Sequence, residues 1–544
     1  MTCIRLVVGA ALVLLSSGVA AAQAPSRRPR LVVVIVIDQF RPDYLNRFRP
    51  HFGNGGFRLL LQKGAWFSEA RHQHAATLTC PGHAAVLTGS HPDVNGIISN
   101  VWYDAATHRS VNCAADTSVS LIGVESEGRS PRNLIGSTVG DELKLATNGR
   151  GKVVTIAGKD RSAIMLGGHR ADGAYWIEDT LFVSSTYYKK ELPAWVRQFN
   201  ASGRVSAYSG RSWDRFLPRA AYAGLGPDDA EGEEGDVSSS RTFPHRLGES
   251  PSVDFVNAFE ASPYQNEVIT DFVIRAVTEE GLGLDEAPDL LAFGYSANDL
   301  IGHIYGPDSH EVMDVTVRTD RLLARLFRFL SSTVGLQNIV VVLTADHGVA
   351  PLPERVNRLN PGSDASRLDP AVLATAAETA LRARFGDPAG ASWVARLAQP
   401  WLYLNVRGLE QSGHSIREAE QVAQAAIKRL PQVFLSLTAT QLRQPRNPAV
   451  PSAVAFSFYP LRSGNVYYEL TPYVVPGSAP AGTTHGSPWS YDAQVPLLWL
   501  GASIKSGVYR DAASIIDIAP TLSALLQIAP PAGSRGRVLR EMLR

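Results

Sequence analysis

The sequence predicts an α/β fold with a mostly parallel central sheet, helices on both faces and additional cap segments. Short, continuous apolar runs rich in β-branched residues recur along the chain, which is typical of strands buried on both faces of a sheet. Helical patterns stand between these runs, and strands that alternate with helices form parallel sheets. At 544 residues the chain is long enough for one large domain with insertions or for two domains.

The strand and helix patterns follow in chain order. The strand patterns are RLVVVIVID (30–38), GKVVTIAGKDR (151–161), PDLLAFGYSAND (288–299), NIVVVLTADHG (338–348) and VPLLWLG (495–501), of which the second and the last are weaker. The clearest helical patterns cover residues 310–330 and 514–528. Because ligands of such folds bind outside the carboxyl ends of the strands, the polar residues that end these runs are the first candidates for a site.

The first 24 residues have the pattern of a secretory signal peptide. Arg5 precedes an apolar run from Leu6 to Ala20, and small residues follow up to Ala24. The apolar run is short for a membrane span, so we expect residues 25–544 to form an exported protein, periplasmic or secreted, with no membrane span. Cleavage would leave 51 basic against 51 acidic residues, a balance that argues against nucleic acid as a partner. We expect a monomer.

Two cysteines remain after cleavage of the predicted leader. Export would place Cys80 and Cys113 in a compartment that permits disulfides. Their spacing does not decide whether they pair, because pairing depends on the geometry of the fold.

Two regions interrupt the alternation of strands and helices. Residues of about 174–262 are rich in aromatic and turn residues, and residues of about 351–482 carry helix and strand signals of their own. We interpret both as insertions that form a cap over the active face of the sheet. The acidic run at 226–240 lacks the Asp-x-Asp-x-Asp-Gly spacing of a calcium loop and is interpreted as a solvated loop.

Acidic and histidine side chains gather at the predicted strand ends. His303 stands four residues after Asp299, so on a helix that begins at this strand end the two side chains share one face. Mixed oxygen and nitrogen ligands suit zinc, although capped, hydrogen-bonded strand ends would give the same spacing, and Asp299 alone could be a helix N-cap. The candidate ligands are Asp38, Asp299, His303, Asp346, His347 and His485.

Five motifs, in this order along the chain, resemble those of the alkaline phosphatase superfamily, a set of two-metal phosphoryl- and sulfuryl-transfer enzymes. The motifs are ID (37–38), TLTCPGHAAVLTGSHPDVNGI (77–97), NDLIGHIYGP (298–307), TADHG (344–348) and THGS (484–487). The resemblance spans about residues 30–540 and implies two zinc ions. One would be held by Asp299, His303 and His485, and the other by Asp38, Asp346 and His347 together with the nucleophile.

The run TLTCPGH contains the candidate nucleophile. Pro81 suits the first position of a helix, which would make Cys80 the N-cap and place Thr79 just ahead of N–H groups that attract an anion. A threonine hydroxyl is a weak nucleophile at neutral pH, and a metal ion can activate it without a general base. The alternative is that Thr79 caps the helix and that Thr77 or Cys80 reacts. Sulfatases of the superfamily use Cys-x-Pro-x-Arg, and here Pro and Arg are missing from the required places.

Three further residues bear on the choice between phosphate monoesters and diesters. SNVWYD places Asn100 in a loop, and IAGKDR places Lys159 and Arg161 two residues apart after a strand. Extended geometry would point both cations to one side, where they could bind the extra charge of a monoester dianion, although a solvated or salt-bridged strand end would show the same residues. Together with Thr79, these residues resemble the phosphate-irrepressible, Thr-nucleophile (PafA-type) alkaline phosphatases.

This resemblance implies an exported, zinc-dependent alkaline phosphatase. It would hydrolyse small phosphate monoesters through a phosphothreonine intermediate on Thr79, and inorganic phosphate would bind at the same site. Two alternatives stay open. One is a phosphodiesterase or nucleotide pyrophosphatase of the same superfamily, and the other is a non-catalytic phosphate-binding protein.

Overall fold

A ten-stranded sheet forms the centre of the computed structural model, which describes residues 28–388, 390–445 and 447–544. The predicted signal peptide, residues 1–24, lies outside the described residues. The strands, in chain order, are β1 (Leu31–Ile37), β2 (Ala65–Phe67), β3 (Leu121–Ile122), β4 (Val153–Ala157), β5 (Gly173–Glu178), β6 (Leu181–Ser185), β7 (Asp289–Tyr295), β8 (Ile339–Thr344), β9 (Leu497–Gly501) and β10 (Gly507–Tyr509).

The order of the strands across the sheet is β10-β2-β9-β8-β1-β7-β4-β5-β6-β3. The strands from β8 to β5 in this order all run parallel, so the predicted α/β fold with a mostly parallel sheet is confirmed. Every residue of β1 and β7 is buried, which means that both faces of the sheet are covered. The grouping of β9 with the parallel strands is wrong, because β9 runs antiparallel to β8 and β2. The apolar composition of such a run follows from burial, and burial is the same for parallel and antiparallel strands. The composition therefore does not indicate the direction of the strand.

Helices of eight or more residues lie between the strands and after them. The predicted helical pattern at 310–330 is confirmed, and the pattern at 514–528 is a 3₁₀ turn followed by a helix. These helices are α1 (Thr79–Thr88), α2 (Val139–Ala146), α3 (Asp160–Gly167), α4 (Ala194–Ala201), α5 (Val253–Glu260), α6 (Pro263–Glu280), α7 (Ala297–Tyr305), α8 (His310–Thr333), α9 (Ala371–Phe385), α10 (Ile416–Lys428) and α11 (Ile518–Leu526).

The register of the sheet brings three strand ends to one level. Ile37 at the end of β1 pairs with Tyr295 at the end of β7, and Val36 pairs with Thr344 at the end of β8. The segments that follow these three strands therefore lie side by side at one edge of the sheet, where ligands bind in folds of this kind.

The two predicted insertions differ in their relation to the sheet. The segment at 174–262 begins inside β5 and includes β6, so its predicted lower boundary falls within the central sheet. The segment at 351–482 forms a separate antiparallel sheet with its own apolar cluster, to which α9 and α10 contribute. Its strands are Val394–Ala398, Trp401–Leu404, Val433–Thr438 and Val466–Leu470.

The chain enters and leaves the segment at 351–482 at neighbouring points. The backbone N–H of Val349 donates to Tyr491 O at 2.9 Å, and that of Ala350 donates to Thr484 O at 3.2 Å. Both ends of this segment are thus held together beside the edge of the central sheet. Among the helices of the described chain, none is long and apolar enough to cross a membrane.

Candidate active site

The first candidate metal-binding group follows β7. Because α7 begins two residues after this strand ends, Asp299 lies in its first turn and His303 lies one turn later on the same face. His485 comes from the loop before β9. The Nε2 atoms of His303 and His485 lie 3.2 and 3.5 Å from Asp299 Oδ1. One ligand atom from each residue lies within 4.8 Å of the others, which suits a single ion.

Backbone carbonyl groups orient the histidine rings. His303 Nδ1 lies 2.7 Å from Thr483 O, and His485 Nδ1 lies 2.8 Å from Thr77 O. His347 Nδ1 makes the same contact with a carbonyl oxygen at 3.0 Å. Each Nδ1 therefore donates a proton to a carbonyl oxygen, and in the neutral form of the ring this leaves the lone pair of Nε2 for a metal ion. Metal-binding histidines are commonly fixed in this way.

The second group comprises Asp38, Asp346 and His347, which are all buried and whose ligand atoms lie within 4.8 Å of one another. His347 Nε2 lies 3.4 Å from Asp38 Oδ1 and 3.3 Å from Asp346 Oδ2. Within the described ranges of the chain, none of these three atoms makes a well-aligned hydrogen bond, and the His83 Nδ1 that lies 3.2 Å from Asp346 Oδ2 is hydrogen-bonded to Thr79 O. Buried polar atoms without partners are costly, so three of them that converge indicate a place for a cation. Two carboxylates and an imidazole are a donor set that fits zinc.

The electrostatics of the two groups also favour a cation. Burial, and then repulsion from His347, holds the pKa of His485 well below its usual value, and burial also lowers the pKa of His347. Both rings are therefore neutral at neutral pH, the form that binds metals. Burial, and then the charge of Asp346, raises the pKa of Asp38 well above its usual value. A cation would relieve the repulsion between these carboxylates.

Lys159 connects the two groups. It is the N-cap residue of α3, and its Nζ lies 2.7 Å from Asp38 Oδ2 and 2.5 Å from Asp299 Oδ2. Burial acts to lower the pKa of Lys159, but the attraction of Asp299 and Asp38 outweighs burial and raises it. The ammonium group therefore keeps its positive charge at the point where the two groups meet.

Arg161 lies in a helix and not in the extended segment that the sequence predicts. The prediction of an extended Lys159–Arg161 segment is wrong, because the chain enters α3 at Asp160 and Arg161 lies in the first helical turn. An acidic residue at this position favours the helix, since it faces the positive end of the helix dipole. Arg161 Nη1 lies 3.8 Å from Asp160 Oδ1, and Arg161 remains close enough to Lys159 for its charge to act against the raised lysine pKa.

Thr79 occupies the first position of α1. The prediction that Cys80 is the N-cap is wrong, because the helix begins at Thr79 and the N-cap is the residue before it. Pro81 is tolerated in the first turn, where N–H groups have no partner within the helix. A Cβ on Gly82 would overlap the carbonyl oxygen of Asp346. The absence of a side chain at this position therefore lets the start of α1 lie against the second metal-binding group.

The other candidate nucleophiles are engaged elsewhere. Thr77 Oγ1 donates to a backbone carbonyl oxygen at 2.7 Å, and Cys80 forms a disulfide with Cys113. Asn100 lies beside the start of α1, where its Oδ1 accepts a hydrogen bond from the Cys80 N–H at 2.8 Å. The Asn100 Nδ2 group is then the part of this side chain that can donate to an anion. Thr77 and Cys80 are thus poorly placed to react, and Thr79 stays the predicted nucleophile.

Sequence reasoning missed several groups that hold the ligands in place. Gln39 follows Asp38 directly and contacts ligands in both groups. The carbonyl oxygens of Thr77 and Thr483 orient two histidines, but backbone groups have no signal in a sequence. Glu260 faces Lys159 and Arg161 from α5, and burial raises its pKa. Only the position of Gln39 after a predicted ligand could have drawn attention to it.

A mostly parallel sheet whose strand ends bear two candidate metal-binding groups, with a hydroxyl side chain at the start of a helix beside them, is an arrangement that suits metal-dependent hydrolysis of anionic esters. The family model described as type I phosphodiesterase / nucleotide pyrophosphatase matches residues 32–469. The chain belongs to this family.

Relatives named alkaline phosphatase cover nearly the whole chain. PhoV of Synechococcus elongatus is 34% identical over 531 residues, which are 95% of this chain and 93% of PhoV. PafA of Elizabethkingia meningoseptica is 33% identical over 549 residues, with 98% of each chain covered. The crystal structure of wild-type alkaline phosphatase PafA matches with a TM-score of 0.88 at 32% identity, covering 95% of this chain and 99% of that chain. The predicted resemblance to PafA-type enzymes is confirmed.

Proposed function

We propose that the chain is an exported, monomeric, zinc-dependent alkaline phosphatase, periplasmic or secreted, that hydrolyses small phosphate monoesters with Thr79 as nucleophile. The observation that carries the proposal is the position of Lys159, whose ammonium group contacts both metal-binding groups at 2.7 and 2.5 Å. A phosphate held between the two groups would meet this cation directly. The names of the relatives PhoV and PafA support phosphatase activity.

The donor atoms described above fit two zinc ions. Bound zinc would supply Lewis-acid stabilisation of the negative charge that develops on oxygen. One ion would be held by Asp299, His303 and His485, and the other by Asp38, Asp346 and His347.

The remaining chemistry belongs to groups of the chain itself. Thr79 lies where N–H groups of the first turn and the helix dipole attract an anionic substrate. Its hydroxyl loses its proton as the oxygen attacks phosphorus, the bond from phosphorus to the alcohol oxygen breaks, the departing alcohol takes up a proton, and a phosphothreonine ester forms. Water then attacks phosphorus, which releases inorganic phosphate and restores the hydroxyl. Asn100, Lys159 and Arg161 hold the non-bridging oxygens through the transition state.

Phosphodiester hydrolysis is the second candidate, because the matching family model describes phosphodiesterases and nucleotide pyrophosphatases. Substrate charge distinguishes the two activities. A monoester dianion carries one negative charge more than a diester, and the neighbouring cations Lys159 and Arg161 suit the higher charge.

Steady-state hydrolysis of p-nitrophenyl phosphate and bis-p-nitrophenyl phosphate at alkaline pH, with zinc present, tests the proposal. The loss of a hydrogen bond to a charged group costs about 1.5–3 kcal/mol, so Arg161→Ala should lower monoester kcat/KM roughly 10- to 150-fold. Diester hydrolysis should change much less. Lys159→Ala should act in the same direction, but Lys159 contacts Asp38 and Asp299, so the zinc content of this variant must be measured alongside.

The double variant Arg150→Ala/Lys152→Ala is a matched control. These residues are also an arginine and a lysine two positions apart, but they precede β4 at the opposite end from Lys159, and Lys152 Nζ contacts Glu280 O. Both activities per folded molecule should be unchanged in this variant. A wild-type enzyme that prefers the diester would contradict the proposal. Stoichiometric phosphate binding without turnover by zinc-loaded protein would establish the non-catalytic alternative.

A further inference from the structure

Gln39 makes one hydrogen bond to each metal-binding group. Its backbone N–H donates to Asp346 Oδ1 at 3.1 Å, and its side-chain Nε2 donates to Asp299 Oδ1 at 2.7 Å. The side chain is buried. Gln39, the residue directly after Asp38, therefore links a carboxylate of one group to a carboxylate of the other, with its backbone N–H on Asp346 and its side-chain amide on Asp299.

The backbone at Gln39 has an unfavourable conformation. Its φ is 62°, in the left-handed region, where a non-glycine residue costs about 1–2 kcal/mol. A cost of this kind persists only where the surroundings fix the conformation. Here the conformation directs the N–H and the side chain of one residue to two different carboxylates.

The surrounding structure leaves a space for the Gln39 amide. Gly302 lies in α7 between Asp299 and His303, and a Cβ at this position would overlap Gln39 Oε1. The helix that supplies two ligands of the first group thus has no side chain at the point where the Gln39 amide passes.

The Asp299 carboxylate is held at both of its oxygens. Gln39 donates to Oδ1, the oxygen that the Nε2 atoms of His303 and His485 face, and Lys159 donates to Oδ2. Two donors on opposite oxygens fix the rotation of the carboxylate. Mutation of a hydrogen-bond donor that holds a metal ligand in this way typically lowers metal affinity about 10- to 100-fold.

We propose that Gln39 is a positioning residue that fixes the Asp299 carboxylate for the first metal ion and ties that group to the second one. This inference rests on the metal centre of the proposed function. It makes a separate claim, which is that one amide side chain outside the ligand sets controls how tightly zinc is retained.

The test measures bound zinc and not only activity. Gln39→Met keeps an unbranched side chain and removes the donor. After dialysis against a graded series of chelator concentrations, this variant should lose one of two zinc ions at about 10- to 100-fold lower chelator strength than wild type. Excess zinc should restore most of the hydrolysis of p-nitrophenyl phosphate. The loss of Tm relative to wild type should be larger for the zinc-loaded protein than for the metal-free protein, a difference that a purely structural role would not give.

Two further variants sharpen the comparison. Gly302→Ala leaves Gln39 unchanged but displaces its amide, and it should weaken zinc retention in the same way even if Gln39→Met folds poorly. Gln527→Met is the control, because Gln527 is exposed and also has a positive φ, of 54°, at the end of α11. It should retain zinc like wild type.

The outcomes separate this inference from the proposed function. Two zinc ions held equally well by wild type, Gln39→Met and Gly302→Ala would overturn the role of Gln39 alone. A wild-type protein that binds no zinc would overturn the proposed metal centre, and the role of Gln39 with it. Zinc retention that depends on Gln39 in a protein without phosphatase activity would support the inference and contradict the proposed function.

Discussion

A rise in pH from about 6.5 to about 9.5 should cost the protein about 3 kcal/mol of folding free energy through His245. The imidazole of His245 is buried between two carboxylates, with a side-chain exposure of only 4%. Its Nδ1 lies 3.2 Å from Asp236 Oδ2, and its Nε2 lies 3.0 Å from Glu311 Oε1. The hydroxyl of Tyr305, the last residue of α7, lies 3.1 Å from Nδ1.

The magnitude follows from the pKa shift. Burial acts to lower the pKa of His245, but the hydrogen bonds and charges of Asp236 and Glu311 outweigh burial and raise it from 6.5 to about 9. A shift of one unit corresponds to about 1.4 kcal/mol, which gives about 3 kcal/mol in total. Because the pKa is higher in the folded state, this stability is present in full below the unfolded pKa of 6.5. It is lost as the pH rises through about 9.

Urea unfolding of wild type and His245→Gln, followed by tryptophan fluorescence from about pH 6 to pH 10, measures this contribution. Glutamine keeps a polar side chain but does not titrate, so the difference in unfolding free energy between the two proteins should shrink by up to about 3 kcal/mol over this range. Glu311 reduces this amount, because His245 acts to lower the pKa of Glu311 and its replacement raises that pKa. Burial raises the pKa of the neighbouring Glu233 to about 9 as well, and the comparison subtracts what this group contributes to both proteins. A difference that stays constant or grows with pH would refute the reasoning.

Two further predictions concern the start of α1. Replacing Cys80 and Cys113 together by alanine should lower the unfolding free energy by up to about 4 kcal/mol, since the disulfide joins residues 33 positions apart. Reductant should then lower the Tm of wild type but not of this variant, and a wild-type Tm that is insensitive to reductant would contradict the prediction. Asn100→Ala should weaken inhibition by inorganic phosphate about tenfold through the loss of one donor to an anion. Asn112→Ala, which also loses a hydrogen bond to a backbone N–H, is the control and should leave phosphate inhibition unchanged.

The strand ends were predictable because burial leaves a clear trace in the sequence. Continuous β-branched runs marked β1, β7 and β8, and the polar residues after them had to meet at one edge of a parallel sheet. The spacing of Asp299 and His303 then predicted one shared helix face, which the structure confirms.

The predictions of the helix start and of the Lys159–Arg161 conformation are wrong because each rests on a sequence feature that fits more than one local geometry. Pro81 fits several positions of a first helical turn, so it could not fix the helix start, which is at Thr79. The Lys159–Arg161 spacing predicts an extended segment, but α3 begins between these two residues. The role of Gln39 depends on a left-handed backbone conformation and on the missing side chain of Gly302, and these meet only in the folded chain.

The neighbouring ends of the segment at 351–482 have a consequence for protein engineering and for evolution. The chain leaves the sheet edge after Ala350 and returns to it at Thr484, and a hydrogen bond of 3.2 Å joins these two points. A segment whose two ends adjoin can differ in length without moving the points at which it leaves and re-enters the rest of the fold. The length of this segment can therefore differ between related chains, while His347 and His485, just outside its two ends, keep their places.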